Sequence, residues 1–127
     1  MTIRTIIRNA ATILGMNDVV RLVKQRNIAE STLRANQNFV VLFRCFNLML
    51  AQVAVSARKP LVEPRNSRAK IEEFELSSTG LTYGVLAEYA FQNGMFNEAR
   101  VWTMRFEQLL FQEISGTRSV VMPRWRR

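Results

Sequence analysis

Apolar residues recur every three or four positions through most of the chain, and polar or glycine positions break the rhythm at only a few places. That pattern predicts helices and little else. From Thr2 to Leu14, Ile3, Ile6, Ile7, Ala10, Ile13 and Leu14 fall at helical spacing, with Arg4 and Arg8 outside the stripe and Gly15 as a stop. A short second helix follows in DVVRLVKQR, capped by Asn17 or Asp18, its acid at the positive end of the helix dipole and its bases at the negative end. Asn27 marks a break, and Ser31 is the expected cap of a long helix running to Ala57, shortly before Pro60.

Within that long helix the core side is expected to carry Leu33, Val40, Phe43, Leu50, Val53, Ala54 and Ala57, and Phe39, Phe46 and Met49 widen the stripe over most of the perimeter. A helix apolar nearly all round is covered on several sides, and so short a chain has few helices to do the covering, which makes a neighbouring subunit a natural candidate. Phe39 to Ala57 also has the length of a membrane span. Arg44 lies well inside it, however, at a cost of about 2.5–3.5 kcal/mol on insertion scales. A buried bundle helix is the reading adopted, with no membrane.

The C-terminal third predicts a helical hairpin. Leu81, Val85, Leu86, Tyr89 and Ala90 share one face, Met95, Ala99, Trp102, Phe106, Leu109 and Leu110 share another, and Asn93-Gly94 lies where the first helix must stop. Helices joined by so short a turn lie antiparallel, so Trp102 and Phe106 are expected to be buried against Val85, Leu86 and Tyr89. The expected fold is all-α: a small bundle of about five helices over residues 1–114, its core including Phe43, Leu50, Leu86, Tyr89, Trp102 and Phe106, with an extended basic arm over 115–127. Residues 58–78, with two prolines and a basic-then-acidic run, read as an irregular loop, with any strand confined to 69–77.

Composition narrows the chemistry. The chain of 127 residues has no histidine and a single cysteine, Cys45, which removes the commonest general base and excludes an internal disulfide or a multi-cysteine zinc site. Phe43, Phe46 and Leu48 around Cys45 favour a buried, inert thiol. Glu72, Glu73 and Glu75 cluster on a polar linker without a partner suited to acid–base work, and Gly80 and Gly84 flank a helix start without forming a phosphate loop. No enzymatic activity, metal or cofactor is expected.

The net charge of +8 is unevenly placed: residues 1–62 carry nine basic and two acidic side chains, residues 63–114 five and eight, and residues 115–127 four and none. Arg4, Arg8, Arg21, Lys24 and Arg26 could form a basic face, and Arg124, Trp125, Arg126 and Arg127 interleave charge with an aromatic ring, both patterns that nucleic-acid binders use. A basic helix-turn-helix-like DNA regulator is therefore the alternative reading, set against a solvated basic face.

The segment AEYAFQNGMFNEARVWTMRFEQLL and the terminal MPRWRR resemble head–tail connector (adaptor) proteins of tailed bacteriophages of Gram-positive bacteria. The likeness is densest at Tyr83, Gly84, Ala87 to Tyr89, Gly94, Phe96, Glu98, Ala99, Trp102, Arg105, Phe106 and the arginine-rich end; LFRCFNLMLAQVA followed by KPLVE, and TIIRNAATILG, are weaker matches. These are packing motifs, silent on mechanism. The family's longer β-containing segment between long helix and hairpin has shrunk here to residues 58–78, so contacts made by that insertion are not carried over. The resemblance implies an architectural virion protein made in the host cytoplasm. Its copies form a ring, dodecameric in this class, under the portal protein, continuing the DNA channel without sequence-specific binding and presenting a surface to tail or stopper proteins of the neck. Basic N-terminal helices would meet the acidic 63–114 region of the next copy. The arm, with Arg118, Met122, Pro123, Arg124, Trp125, Arg126 and Arg127, is expected to be free in the monomer and to dock on the portal, its arginines on carboxylates and Trp125 in an apolar pocket.

Overall fold

A computed structural model describes residues 2–25, 27–58 and 77–115. These form six α-helices: α1 (Ile3–Leu14), α2 (Asn17–Lys24), α3 (Glu30–Arg34), α4 (Gln37–Ala57), α5 (Ser78–Gln92) and α6 (Phe96–Leu110), with a π-helical turn over Phe111–Ser115. There is no strand among the described residues, and the fold is the all-α bundle that the periodicity predicts. The strand considered for 69–77 falls almost wholly outside the described residues; Ser77, the last of that stretch, precedes α5 as its cap.

The sixth helix arises because the expected long helix is two. The chain leaves helical geometry at Asn36 (φ −89°, ψ 120°), whose side-chain oxygen accepts a hydrogen bond from the Phe39 backbone N–H at 3.0 Å and so starts α4 afresh. Ser31 does not cap; the N-cap of α3 is Ala29, without a side-chain bond. Asn17 and Asp18 likewise lie inside α2, whose N-cap is Met16. Asp18 instead accepts from the side-chain amides of Asn36 (3.0 Å) and Asn38 (3.2 Å), tying the start of α2 to the start of α4. The Asn36 bond, partly opposed by burial, holds its carboxyl below the usual range.

One core runs through the bundle. Ile3, Ile6 and Ile7 of α1 and Phe39, Leu42, Phe46 and Met49 of α4 are fully buried with Leu81, Val85 and Leu86 of α5. Helix α1 packs on both α4 and α5, α4 on α5, and α5 along the length of α6. Ile13, placed on the α1 stripe by spacing, is exposed, because α1 ends there and Gly15 turns the chain away.

The hairpin turn is built as expected around Gly94, whose φ of +72° is open to glycine at no steric cost. The Asn93 side chain donates to the Tyr89 carbonyl at 2.8 Å, closing the end of α5. At its other end α5 begins earlier than the periodicity indicates: Ser77 accepts from the Gly80 N–H at 3.2 Å, and its own N–H donates to the Glu113 carboxylate at 2.8 Å. Gly80 and Gly84 are therefore helical residues within α5. Gly84 is where three helices crowd: a Cβ there would lie 2.3 Å from Met49 Cγ of α4 and 2.8 Å from Phe106 Cε1 of α6.

Candidate functional site

Of the expected core residues, Phe43, Leu50, Leu86 and Phe106 are buried, whereas Tyr89 and Trp102 are half-buried and pack against the core from its edge. Trp102 is therefore a flank of the hairpin and not its centre. The reason is that α6 touches the bundle mainly through α5, along the narrow stripe Ala99, Phe106 and Leu110, leaving room for one ring, Phe106, beneath Gly84.

The basic N-terminal face loses its first member. Arg4, 9% exposed, is turned inward, donating from Nη1 to the Ile28 carbonyl at 3.1 Å and from Nη2 to Glu30 Oε1 at 2.9 Å. Glu30 also accepts from Arg34 Nε at 3.2 Å, and the Arg34 guanidinium lies 5.3 Å from the Phe43 ring centroid. This arginine sits outside the apolar stripe by spacing, yet it fastens α1 to the α2–α3 loop and α3. Arg21 and Lys24 remain exposed and Arg8 half-exposed, while Arg26 lies outside the described residues. So do Glu72, Glu73 and Glu75 and the whole arm containing Arg118, Met122, Pro123, Arg124, Trp125, Arg126 and Arg127.

Cys45 is buried, its sulfur 4.0 Å from Gln92 Oε1. Burial, with a smaller push from the Glu88 charge, raises its thiol to about 11, against a weaker opposing pull from Arg44, so it stays protonated at neutral pH. Among the described residues no three His, Cys, Asp or Glu side chains gather where they could hold one ion.

The unusual surface lies on the hairpin, and periodicity alone does not mark it. Phe91 (65% exposed), Phe96 (62%), Val101 (49%), Met104 (64%) and Phe111 (59%) all face outward. Phe91 and Phe96 meet edge-on across the turn, centroids 6.1 Å apart. Val101 and Met104 lie on the side of α6 opposite its buried stripe, among exposed Asn97, Arg100, Arg105 and Gln108, and Phe111 follows in the π-helical turn, so apolar side chains stand on the uncovered side of the hairpin as well as the covered one. The signal was present in the sequence as apolar residues between the core positions of α6; it reads as noise until the core side is known. A second line, Leu48, Ala51 and Val55 with Arg44 at its head, is exposed along α4. The segment Gln37–Val55 of α4 is long and apolar enough to cross a membrane, and 44% of it is buried within the bundle.

Two recesses flank Phe91. One, of about 320 Å³, lies between Phe91, Phe96, Ala99 and Met104. The other, of about 250 Å³, opens where α4, α5 and α6 converge; Met49, Ala87, Phe91 and Phe106 line it, with Glu88 and Glu107 among them. Burial raises the Glu88 carboxyl above its ordinary range. No known family, curated sequence or solved structure matches this chain.

Proposed function

We propose that this chain is a virion structural protein, a head–tail connector (adaptor) that assembles as a ring beneath the portal at the phage neck and works without catalysis, cofactor or membrane. The observation that carries the reading is the set of exposed apolar side chains on the hairpin, because Val101, Met104 and Phe111 together with Phe91 and Phe96 offer a surface that a partner would cover. Rings need head-to-tail contacts between two different patches on each subunit. The α6 row and the Leu48–Val55 line of α4 are two such patches, on different helices. The resemblance of the hairpin and the arginine-rich end to connector proteins supplies the partners: portal protein, tail or stopper protein, and DNA passing through the channel. The inward turn of Arg4 shrinks the basic face on which the DNA-regulator alternative rests.

The test is the mass in solution, by light scattering, with and without the cognate portal protein. A connector gives a ring whose mass is a multiple of 14.7 kDa, alone or on the portal, and Met104→Asp with Phe111→Asp returns it to the monomer with its helical circular dichroism unchanged. A chain that stays monomeric in both conditions and protects a specific duplex DNA sequence at physiological salt is a regulator instead.

A further inference from the structure

The outward side of α6 carries more order than a scatter of apolar residues. Its exposed positions Asn97, Val101, Met104 and Gln108 recur in steps of four, three and four, the spacing of a coiled-coil seam. The buried stripe of Ala99, Phe106 and Leu110 lies on the opposite side, so the seam is turned away from the subunit's own core. Charged residues flank it: Arg100 and Glu107 along one edge, Glu98 and Arg105 along the other, all of them exposed. Arg105 is held at its edge by Tyr83, its guanidinium 5.7 Å from the ring centroid and its Nη1 donating to the hydroxyl at 3.4 Å.

We propose that this seam pairs with the same seam of a second copy, the two α6 helices running antiparallel about a two-fold axis at the level of Trp102 and Thr103. Such a contact is isologous, so every pairing is repeated by the symmetry. With Val101 opposite the neighbour's Met104, Asn97 falls opposite the neighbour's Gln108. Amide layers then bracket the apolar centre, and the amides can hydrogen-bond each other. The same register sets Arg100 against the neighbour's Glu107 and Arg105 against the neighbour's Glu98, so both edges join opposite charges. A parallel pairing would instead place Arg100 beside the neighbour's Arg105, and that like-charge contact selects against it. Spacing and charge thus choose both the partner and its direction. The seam spans only about three turns of helix, which puts the contact at the small end of interface size, and the dimer should dissociate on dilution. The pairing concerns the free subunit and does not rest on the connector reading. In a connector it would cover the α6 row until ring contacts replace it.

The experiment is sedimentation velocity on the full chain over a wide range of concentration. Expected is a monomer–dimer equilibrium that Arg100→Glu weakens about tenfold and that Arg100→Glu combined with Glu107→Arg restores. Helical circular dichroism should stay unchanged throughout, since these side chains are exposed. Direction is read by disulfide formation in an equal mixture of Val101→Cys and Met104→Cys chains, where the antiparallel register links one variant to the other. Cys45 is buried and protonated and stays out of the reaction. A chain that is monomeric at every concentration overturns the proposal. So does a dimer indifferent to the charge reversal, a double variant that fails to restore it, or cross-linking confined to chains of the same variant. A closed ring that forms without a dimer would assign the row to head-to-tail contacts and overturn it as well.

Discussion

The two ends of this molecule use similar residues to opposite effect. In the N-terminal region, α1 to α4, most large apolar side chains are spent inward, Ile13, Leu48 and Val55 being exposed, and even an arginine is drawn in, held by the Ile28 carbonyl and Glu30. In the C-terminal hairpin, three phenylalanines, a methionine and a valine stand in solvent while α6 leans on the bundle through one narrow stripe. A core position on α4 is bounded by α1, α3 and α5, whereas α6 has one principal neighbour. Apolar content therefore indicates burial only as far as there are elements to supply the other wall. The first region spends most of its apolar surface on a core shared with α5, and the hairpin leaves more of its own uncovered.

The widest separation between the regions should appear when equivalent rings are removed. Phe46→Ala should cost about 3–5 kcal/mol in urea unfolding, whereas Phe111→Ala should stay within about 0.5 kcal/mol of the parent. Equal losses would mean that the hairpin surface is packed after all. Next in size is Arg4→Met, which keeps the chain length but leaves the buried Ile28 carbonyl without that donor and Glu30 without one of its cations. A loss of about 1–3 kcal/mol is expected; a neutral result would make the inward arginine ornamental.

Gly84→Ala tests the seam between the regions. Alanine would gain about 1 kcal/mol in helix propensity, but its methyl group would overlap Met49 and Phe106, and overpacking of this kind costs about 1–3 kcal/mol. A net loss of up to about 2 kcal/mol is expected, and a melting temperature above the parent's would show that α6 can slide outward freely. The smallest effect is the pH response of Cys45. Its folded pKa of about 11 lies above the ordinary 9.0. The stability contributed by the neutral buried thiol is then fully present below pH 9 and is lost as pH rises through 11. Cys45→Ala should flatten that alkaline decline in thermal melts, and iodoacetamide at pH 8 should label Cys45 only as fast as α5 parts from α4.

Much of this fold was readable from spacing, because amphipathic periods and Gly94 report constraints local to one helix. The hairpin and the four buried residues Phe43, Leu50, Leu86 and Phe106 follow directly from them. What escaped depended on partners distant in sequence. Asn36 breaks the long helix through a capping bond that no periodicity displays, Asp18 leaves its expected cap to meet Asn36 and Asn38, and Arg4 finds its acceptors more than twenty residues away. Trp102 was placed too deep because its stripe was legible but the width of the covering wall was not. The exposed row on α6 is the same problem in reverse: Val101 and Met104 look like extra core until the neighbours are counted. The arm, on which most of the site assignment rested, lies outside the described residues.

The packing of α1 against both α4 and α5 has a consequence for the making of the chain. The first helix leaves the ribosome long before its last partner exists. At ~5–20 residues per second, the roughly 80 residues between Leu14 and Gln92 take on the order of 4–16 s to synthesise. Throughout that interval part of the surface of Ile3, Ile6 and Ile7 has no mate, and Arg4 can settle only after Glu30 has emerged. The nascent protein thus carries a sticky, positively charged α1 for seconds, the interval in which a holdase would have to shield it.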